Sequence, residues 1–197
     1  MKLYKIIPLL LIFSVSNIFA ADPPPLTLMK KVTGQTLAAL QRNKGRLTNR
    51  TIHNIVNRYV VPYFDMPSVA RSVVGRTYWS QSSSGTRSQF IITFKGYVID
   101  MYSSALSTYS NEKIIFKPMR SYSSSQTRVK LYSTIKRSGA PPVSLNYRLV
   151  RYGKTWRIYD FSVDGVSMVH SYRAQFADTL RRAGLAGLTK QLQARRR

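Results

Sequence analysis

The sequence predicts an α+β domain, and three observations carry that expectation. Apolar residues recur at three- and four-residue spacing from Leu26 to Leu106, at every second residue between Ile114 and Val163, and again at helical spacing from Val169 to Leu192. Short connections within the middle block imply neighbouring antiparallel strands. Helices before and after such a block give segregated helices and sheet, not the alternating order of a parallel sheet.

The first twenty residues stand outside that domain. Lys2 and Lys5 precede an apolar run from Ile6 to Val15 and then Ser-Asn-Ile-Phe-Ala, ending at Ala20, the layout of a cleavable secretory signal peptide. The apolar run is too short to span a bilayer, and Ile18 stands where a small residue is usual before the cut. Removing residues 1–20 of the 197 leaves 177, enough for one domain with a sizeable core. Residues 21–25, with Pro23, Pro24 and Pro25, read as a stiff linker. The domain is then expected over 26–194, with a basic tail at 195–197.

Charge and cysteine content narrow the class. Loss of Lys2 and Lys5 takes 31 basic residues to 29 against 7 acidic ones, and the net charge from +24 to +22. Outside the cytoplasm such a surface attracts anionic headgroups, lipopolysaccharide phosphates or acidic proteins more than nucleic acid. With no cysteine, disulfides, thiol chemistry and cysteine metal sites are excluded, and packing alone must stabilise the exported fold; a bacterial periplasm fits best.

The first helix is expected from Leu26 to Arg42, with Leu28, Val32, Leu37 and Leu40 at helical spacing. Thr48 caps a second, whose face carries Ile52, Ile55, Val56 and Tyr59 and which Pro62 ends. Asp65 or Ser68 caps a short third helix with Val69, Val73 and Val74 inward and Gly75 at its C-terminal end. The longest helix spans about 84–107, after a loop and cap formed by Ser82, Ser83, Ser84 and Gly85. Its stripe of Phe90, Phe94, Tyr97, Val98 and Met101 is widened by Ile91, Tyr102 and Leu106, so it is covered on more than one side.

Ile114 and Phe116 open the first strand. Val129, Leu131 and Ile135 alternate with basic and polar residues in the second, as Val143, Leu145, Tyr147 and Leu149 do in the third. Residues 155–163 form the fourth, dense in aromatic and β-branched side chains and buried on both faces for much of its length. The result is an antiparallel meander with one apolar and one basic face. Asp164-Gly165 stops it. Ser167 caps a helix carrying Val169, Tyr172, Phe176 and Leu180, which near Gly184 gives way to a brief closing helix with Leu185, Leu188 and Leu192.

Catalysis is hard to build from this inventory. Asp160 and Asp164, four apart, would share one side of an undistorted strand, but a turn role for Asp164 and an arginine partner for Asp160 explain them more simply. Asp65, Asp100, Glu112 and Asp178 form no motif, and G-x-S-x-G, H-E-x-x-H and glycine-rich phosphate loops are absent. His53 borders an apolar helix face with no second ligand at metal spacing. Neither an enzyme nor a metal cofactor is expected. Binding is easier: the long helix and the meander each offer an apolar face, which either close tightly or enclose a cavity, and Met66, Met101 and Met168 suit both outcomes.

Trp156, Tyr159, Asp160, Asp164, Gly165, Val166, Ser167 and Met168 spell W-x-x-Y-D-x-x-x-[ED]-G-V-S-[ML], and Tyr172, Arg173, Gln175 and Phe176 spell Y-R-x-Q-F. V-P-Y-F-D at 61–65, V-V-G-R-x-Y-W at 73–79, R-x-x-F-x-x-x-F at 87–94, P-V-x-L-x-Y-R at 142–148 and R-x-x-G-L-x-x-L at 181–188 extend the pattern over nearly all of the mature chain. In these motifs the sequence resembles the MlaC family of periplasmic phospholipid shuttles, also called toluene-tolerance proteins, of the Mla lipid-asymmetry system. It departs where the family's long helix begins T-P-x-Q-R and this chain has Ser83, Ser84, Gly85, Thr86 and Arg87. It departs again in its high positive charge.

The resemblance implies a twisted antiparallel sheet of about four strands wrapped by the N-terminal and C-terminal helices, with an apolar cavity between sheet and helices. Acyl chains would fill that cavity while the headgroup stays in water. It implies no reaction but a monomeric phospholipid carrier with no nucleic-acid partner. Such a carrier docks transiently, taking lipid from an outer-membrane lipoprotein with its porin and passing it to an inner-membrane ABC transporter with MCE domains, which maintains outer-membrane lipid asymmetry. On the helices the expected tail contacts are Phe90, Phe94, Val98, Met101 and Met168. On the sheet and its last turn they are Leu131, Leu145, Tyr147, Val163 and Val166, and the expected headgroup contacts are Arg87, Lys130 and Arg148. The alternative is a cationic exported protein that binds anionic surfaces or polyanions without a lipid pocket.

Overall fold

The computed structural model describes residues 21–109 and 112–196; the signal peptide expected at 1–20 and the last residue of the tail lie outside them. The α+β class holds. Five strands form one antiparallel sheet in the order of the chain: β1 (Lys113–Phe116), β2 (Arg128–Lys136), β3 (Val143–Tyr152), β4 (Thr155–Val163) and β5 (Val166–Ser167). The two-residue β5 is the addition to the expected four. Asp164-Gly165 joins it to β4 with positive φ at both residues, 46° and 85°, as a tight two-residue hairpin requires, and glycine accepts this without steric cost.

Before the sheet come α1 (Pro24–Arg42), α2 (Asn49–Tyr59), a single 3-10 turn at Val61–Tyr63, α3 (Met66–Val74), α4 (Arg76–Gln81) and α5 (Ser84–Ser107); α6 (Met168–Ala194) follows it. The expected caps form: the side chains of Thr48, Asp65, Ser83 and Ser167 accept backbone N–H bonds at the starts of α2, α3, α5 and α6. α4 is too short for a periodic signal and was not expected. α6 breaks at Gly184, where φ is 62° and ψ −169°, and the expected closing helix follows.

Two differences concern the termini. The proline run is not a free linker: Pro24 and Pro25 are the first turn of α1, Pro25 is buried, and Thr27 Oγ1 donates to the Asp22 carbonyl. Proline suits this place because first-turn amides have no intrahelical partner to lose. At the other end, Arg196 is anchored rather than frayed. Its Nε donates to Asp100 Oδ2 at 2.7 Å, and its guanidinium lies against Gly96 of α5. His53 of α2 pairs with Asp100 as well, a contact between residues 47 apart in the chain.

β4 carries a bulge. Leu149 faces Ile158 and Arg148 faces Asp160, leaving Tyr159 unpaired between them. Because of that extra residue, Ile158 and Phe161, opposite Leu149 and Tyr147, share a face that strict alternation would deny them.

The apolar interior is divided. One cluster joins α3, α5 and α6 through Val69, Val73, Phe90, Phe94, Tyr172 and Phe176, while another joins α1 to the sheet through Leu26, Met29, Leu131, Leu149, Trp156 and Ile158. Phe64, just before α3, packs on both.

Candidate functional site

A small apolar cavity lies between the helical cluster and β4, beside Phe64. Phe64, Met66, Val69 and Val73 close it from the 3-10 turn and α3, Phe94 and Val98 from α5. β4 contributes Asp160 and Phe161, and the start of α6 contributes Met168, Val169 and Tyr172. The local reasons are direct. The α5 pair stand four residues apart on one helical stripe, and the hairpin with the Ser167 cap turns α6 back so that its first turn faces α3 and α5.

Half-buried side chains hold the seam. Phe161 meets Phe64 edge-on at 6.3 Å between ring centroids and Tyr102 at 6.2 Å, and Tyr102 Oη donates to Met168 Sδ at 2.9 Å. Burial pushes the Tyr172 phenol well up, with the neighbouring Tyr102 and Tyr97 adding to it, so this hydroxyl is neutral throughout the physiological range. The cavity measures about 50 Å³, room for one or two waters.

Asp160 is the polar exception, and it is satisfied. With 4% of its surface exposed, it accepts Ser167 Oγ at 2.8 Å and Val169 N at 3.3 Å, while Arg148 Nη1 stands 3.9 Å away. A carboxylate at the first turn of a helix is also favoured by the helix dipole. Asp164 instead accepts Ser144 N at 2.8 Å. The aspartate pair therefore fixes two junctions of the scaffold. Among the described residues no three acidic or histidine side chains gather as a metal site.

Three expected tail contacts, Phe94, Val98 and Met168, are brought together at this cavity. Phe90 is fully buried one turn away, stacked on Phe94 at 5.4 Å. Leu131 belongs to the sheet cluster and Tyr147 packs against it, where burial raises its phenol. Leu145 and Val163, paired across β3 and β4, are half-buried at the far end of the sheet. Met101 and Val166 face solvent, at 56% and 59% exposure.

The three expected headgroup cations are dispersed. Arg87 donates to the carbonyls of Trp79 and Ser80 and lies over the Trp79 ring, tying α4 to α5; Lys130 lies over Tyr132, and Arg148 beside Asp160. None of them lines the cavity. Phe64, Met66, Phe161, Val169 and Tyr172 do, and the sequence reasoning did not select them as contacts. The V-P-Y-F-D motif was the available signal for Phe64; for Phe161 the bulge hid its side.

Comparison with known proteins sets this geometry in context. The family model described as MlaC protein matches residues 30–194. The Haemophilus influenzae intermembrane phospholipid transport system binding protein MlaC is 24% identical over 185 residues, 92% of this chain and 86% of that protein. The Pseudomonas putida toluene tolerance protein ttg2D is 24% identical over 178 residues, 89% and 82% of the two chains. A solved phospholipid-binding protein from Ralstonia solanacearum, in complex with a phospholipid, superposes with a TM-score of 0.79 at 29% identity, covering 89% of this chain and 97% of its own.

Proposed function

The chain belongs to the MlaC family, and from that premise we propose that it is a periplasmic phospholipid carrier, not an enzyme, whose acyl-chain site opens at the seam between the helical and sheet clusters. The observation that carries this reading is the divided core. A single close-packed interior would have no place to part without breaking many contacts. Here the helical cluster faces β4 across a cavity walled by flexible Met66 and Met168 and by half-buried Phe64, Phe161 and Val98, and Phe64 ties that wall to the sheet cluster.

At about 50 Å³ the cavity is the closed form of the site; even small-molecule pockets measure roughly 300–1,000 Å³. Loading repacks the side chains of the seam, Phe64, Met66, Phe161 and Met168, while the bonds of Asp65 and Asp160 keep α3 and the start of α6 on β4. Phe94, Val98 and Met168 then line the chains first, with Phe90, Leu131, Leu145, Tyr147 and Val163 reached as the seam widens. A two-chain lipid with roughly 30 methylenes gains on the order of 20 kcal/mol by leaving water, so it does not escape unaided. A bilayer buries the same tails. Transfer is thus nearly balanced, and modest docking energies decide loading or release. On this reading the lipid is received from an outer-membrane lipoprotein with its porin and handed to an inner-membrane transporter with MCE domains.

Native mass spectrometry of gently purified mature protein should find one two-chain phospholipid per chain. Val98→Trp should reduce that occupancy severalfold while the protein stays folded by circular dichroism. Lipid-free protein whose polyanion binding collapses with salt would instead support the surface-binding alternative, which rests on charge alone.

A further inference from the structure

We infer that the basic cleft at the head of α6 is the seat of the lipid's phosphate and the mouth of the acyl-chain site, a proposal that rests on the carrier reading above. Arg71 and Ser72 of α3, Arg76 at the start of α4, and Val169, His170 and Arg173 of α6 enclose about 260 Å³. Three arginines line the cleft on a protein that already carries a large excess of positive charge. No ion pair among the described residues engages any of the three. Such crowding is unfavourable unless an anion neutralises it, and the planar, forked donors of arginine match phosphate oxygens two at a time.

The cleft is shaped, not merely charged. Gly75, between α3 and α4, has φ 84° and lies directly beneath Arg173, whose Nη2 would stand 3.0 Å from a Cβ at that position. The missing side chain lets the Arg173 guanidinium lie close to the backbone in the cleft that Arg71 and Arg76 also line.

Val169 makes the link to the cargo, because it lines both this cleft and the apolar cavity. A ligand spanning the two needs an anionic group joined to apolar chains. That is the build of a phospholipid, with its phosphate among the arginines and its chains passing Val169 towards Met168, Val98 and Phe94. The expected headgroup residues are less suited: Arg87 is bound to two carbonyls and Arg148 lies beside a carboxylate.

The test loads delipidated mature protein with phosphatidylglycerol bearing a photoreactive diazirine on its headgroup, irradiates it and maps the labelled peptides. Labelling confined to 71–76 and 169–173 is expected, and labelling on β2 or β3 overturns the assignment. In parallel, Arg71→Gln/Arg76→Gln changes two exposed side chains outside the apolar core. It should keep its spectrum and lipid-free melting temperature yet lose phosphatidylglycerol to acceptor vesicles at least roughly tenfold faster, the scale set by hydrogen bonds to charged groups. Unchanged loss overturns the proposal. Protection of the cleft arginines from phenylglyoxal by inorganic phosphate, with the headgroup label elsewhere, would make this a free-phosphate site and overturns it too. Wild-type protein that takes up no lipid overturns the carrier reading itself, an outcome distinct from lipid that binds but is labelled elsewhere.

Discussion

Asp65 fastens α3 to the sheet with three bonds. Its Oδ1 caps the helix through Ser68 N at 3.2 Å, its Oδ2 accepts Tyr152 Oη at 2.6 Å, and its own N–H donates to the Ile158 carbonyl at 2.8 Å. Burial opposes its ionisation, but the hydrogen bonds from Ser68 and Tyr152, with Arg157 nearby, outweigh it and hold the carboxyl below its ordinary 3.8. A depressed folded value means that stability is present above the ordinary value and is lost as the pH falls through the lower one. Asp65→Asn should therefore cost about 1 kcal/mol at neutral pH, the usual worth of a cap. Its penalty should shrink as the pH falls below the ordinary 3.8. Denaturant titrations of both proteins across that range check this, and parallel curves would contradict it. From sequence, Asp65 was already one of two candidate caps, but Tyr152, 87 residues away, was out of reach of any local pattern.

At the scale of elements, the junctions matter more than the elements themselves. Gly75 ends α3 and begins α4 with φ 84° and ψ 158°, a region that is essentially glycine's alone. Gly75→Ala should cost about 1–3 kcal/mol for that backbone strain. It should also displace Arg173, so thermal melting will fall and lipid loss will quicken together. An unchanged melting temperature would mean that the chain relaxes there freely. The bulge at Tyr159 is the other such junction. Helix and strand positions were legible because their periods depend only on neighbours in the chain, and the caps on Thr48, Ser83 and Ser167 were legible for the same reason. Which face Phe161 takes was not, because an extra residue in one strand is defined only by its partner.

Over the whole molecule, like charges oppose compaction. Arg196 and His53 share Asp100, and Arg181 and Arg182 share Asp178, so two of the few acidic groups each serve two basic side chains. Raising ionic strength from about 0.01 M to about 0.15 M shortens the screening length from roughly 30 to 8 Å and should raise the melting temperature. A scan in sodium chloride tests this; a fall would mean that attractive pairs dominate instead.

The α+β order, the caps, the turn at Asp164-Gly165, the family and the apolar stripe that supplies Phe94 and Val98 are all legible in the chain, because each is written in neighbouring residues. Packing in three dimensions set the rest: the core is divided at Phe64, β4 turns Phe161 to the same side as Ile158, and Arg71, Arg76 and Arg173 line one cleft with Val169. The cleft joins segments about a hundred positions apart and the bulge is defined only by the partner strand, so no spacing along the chain encodes them.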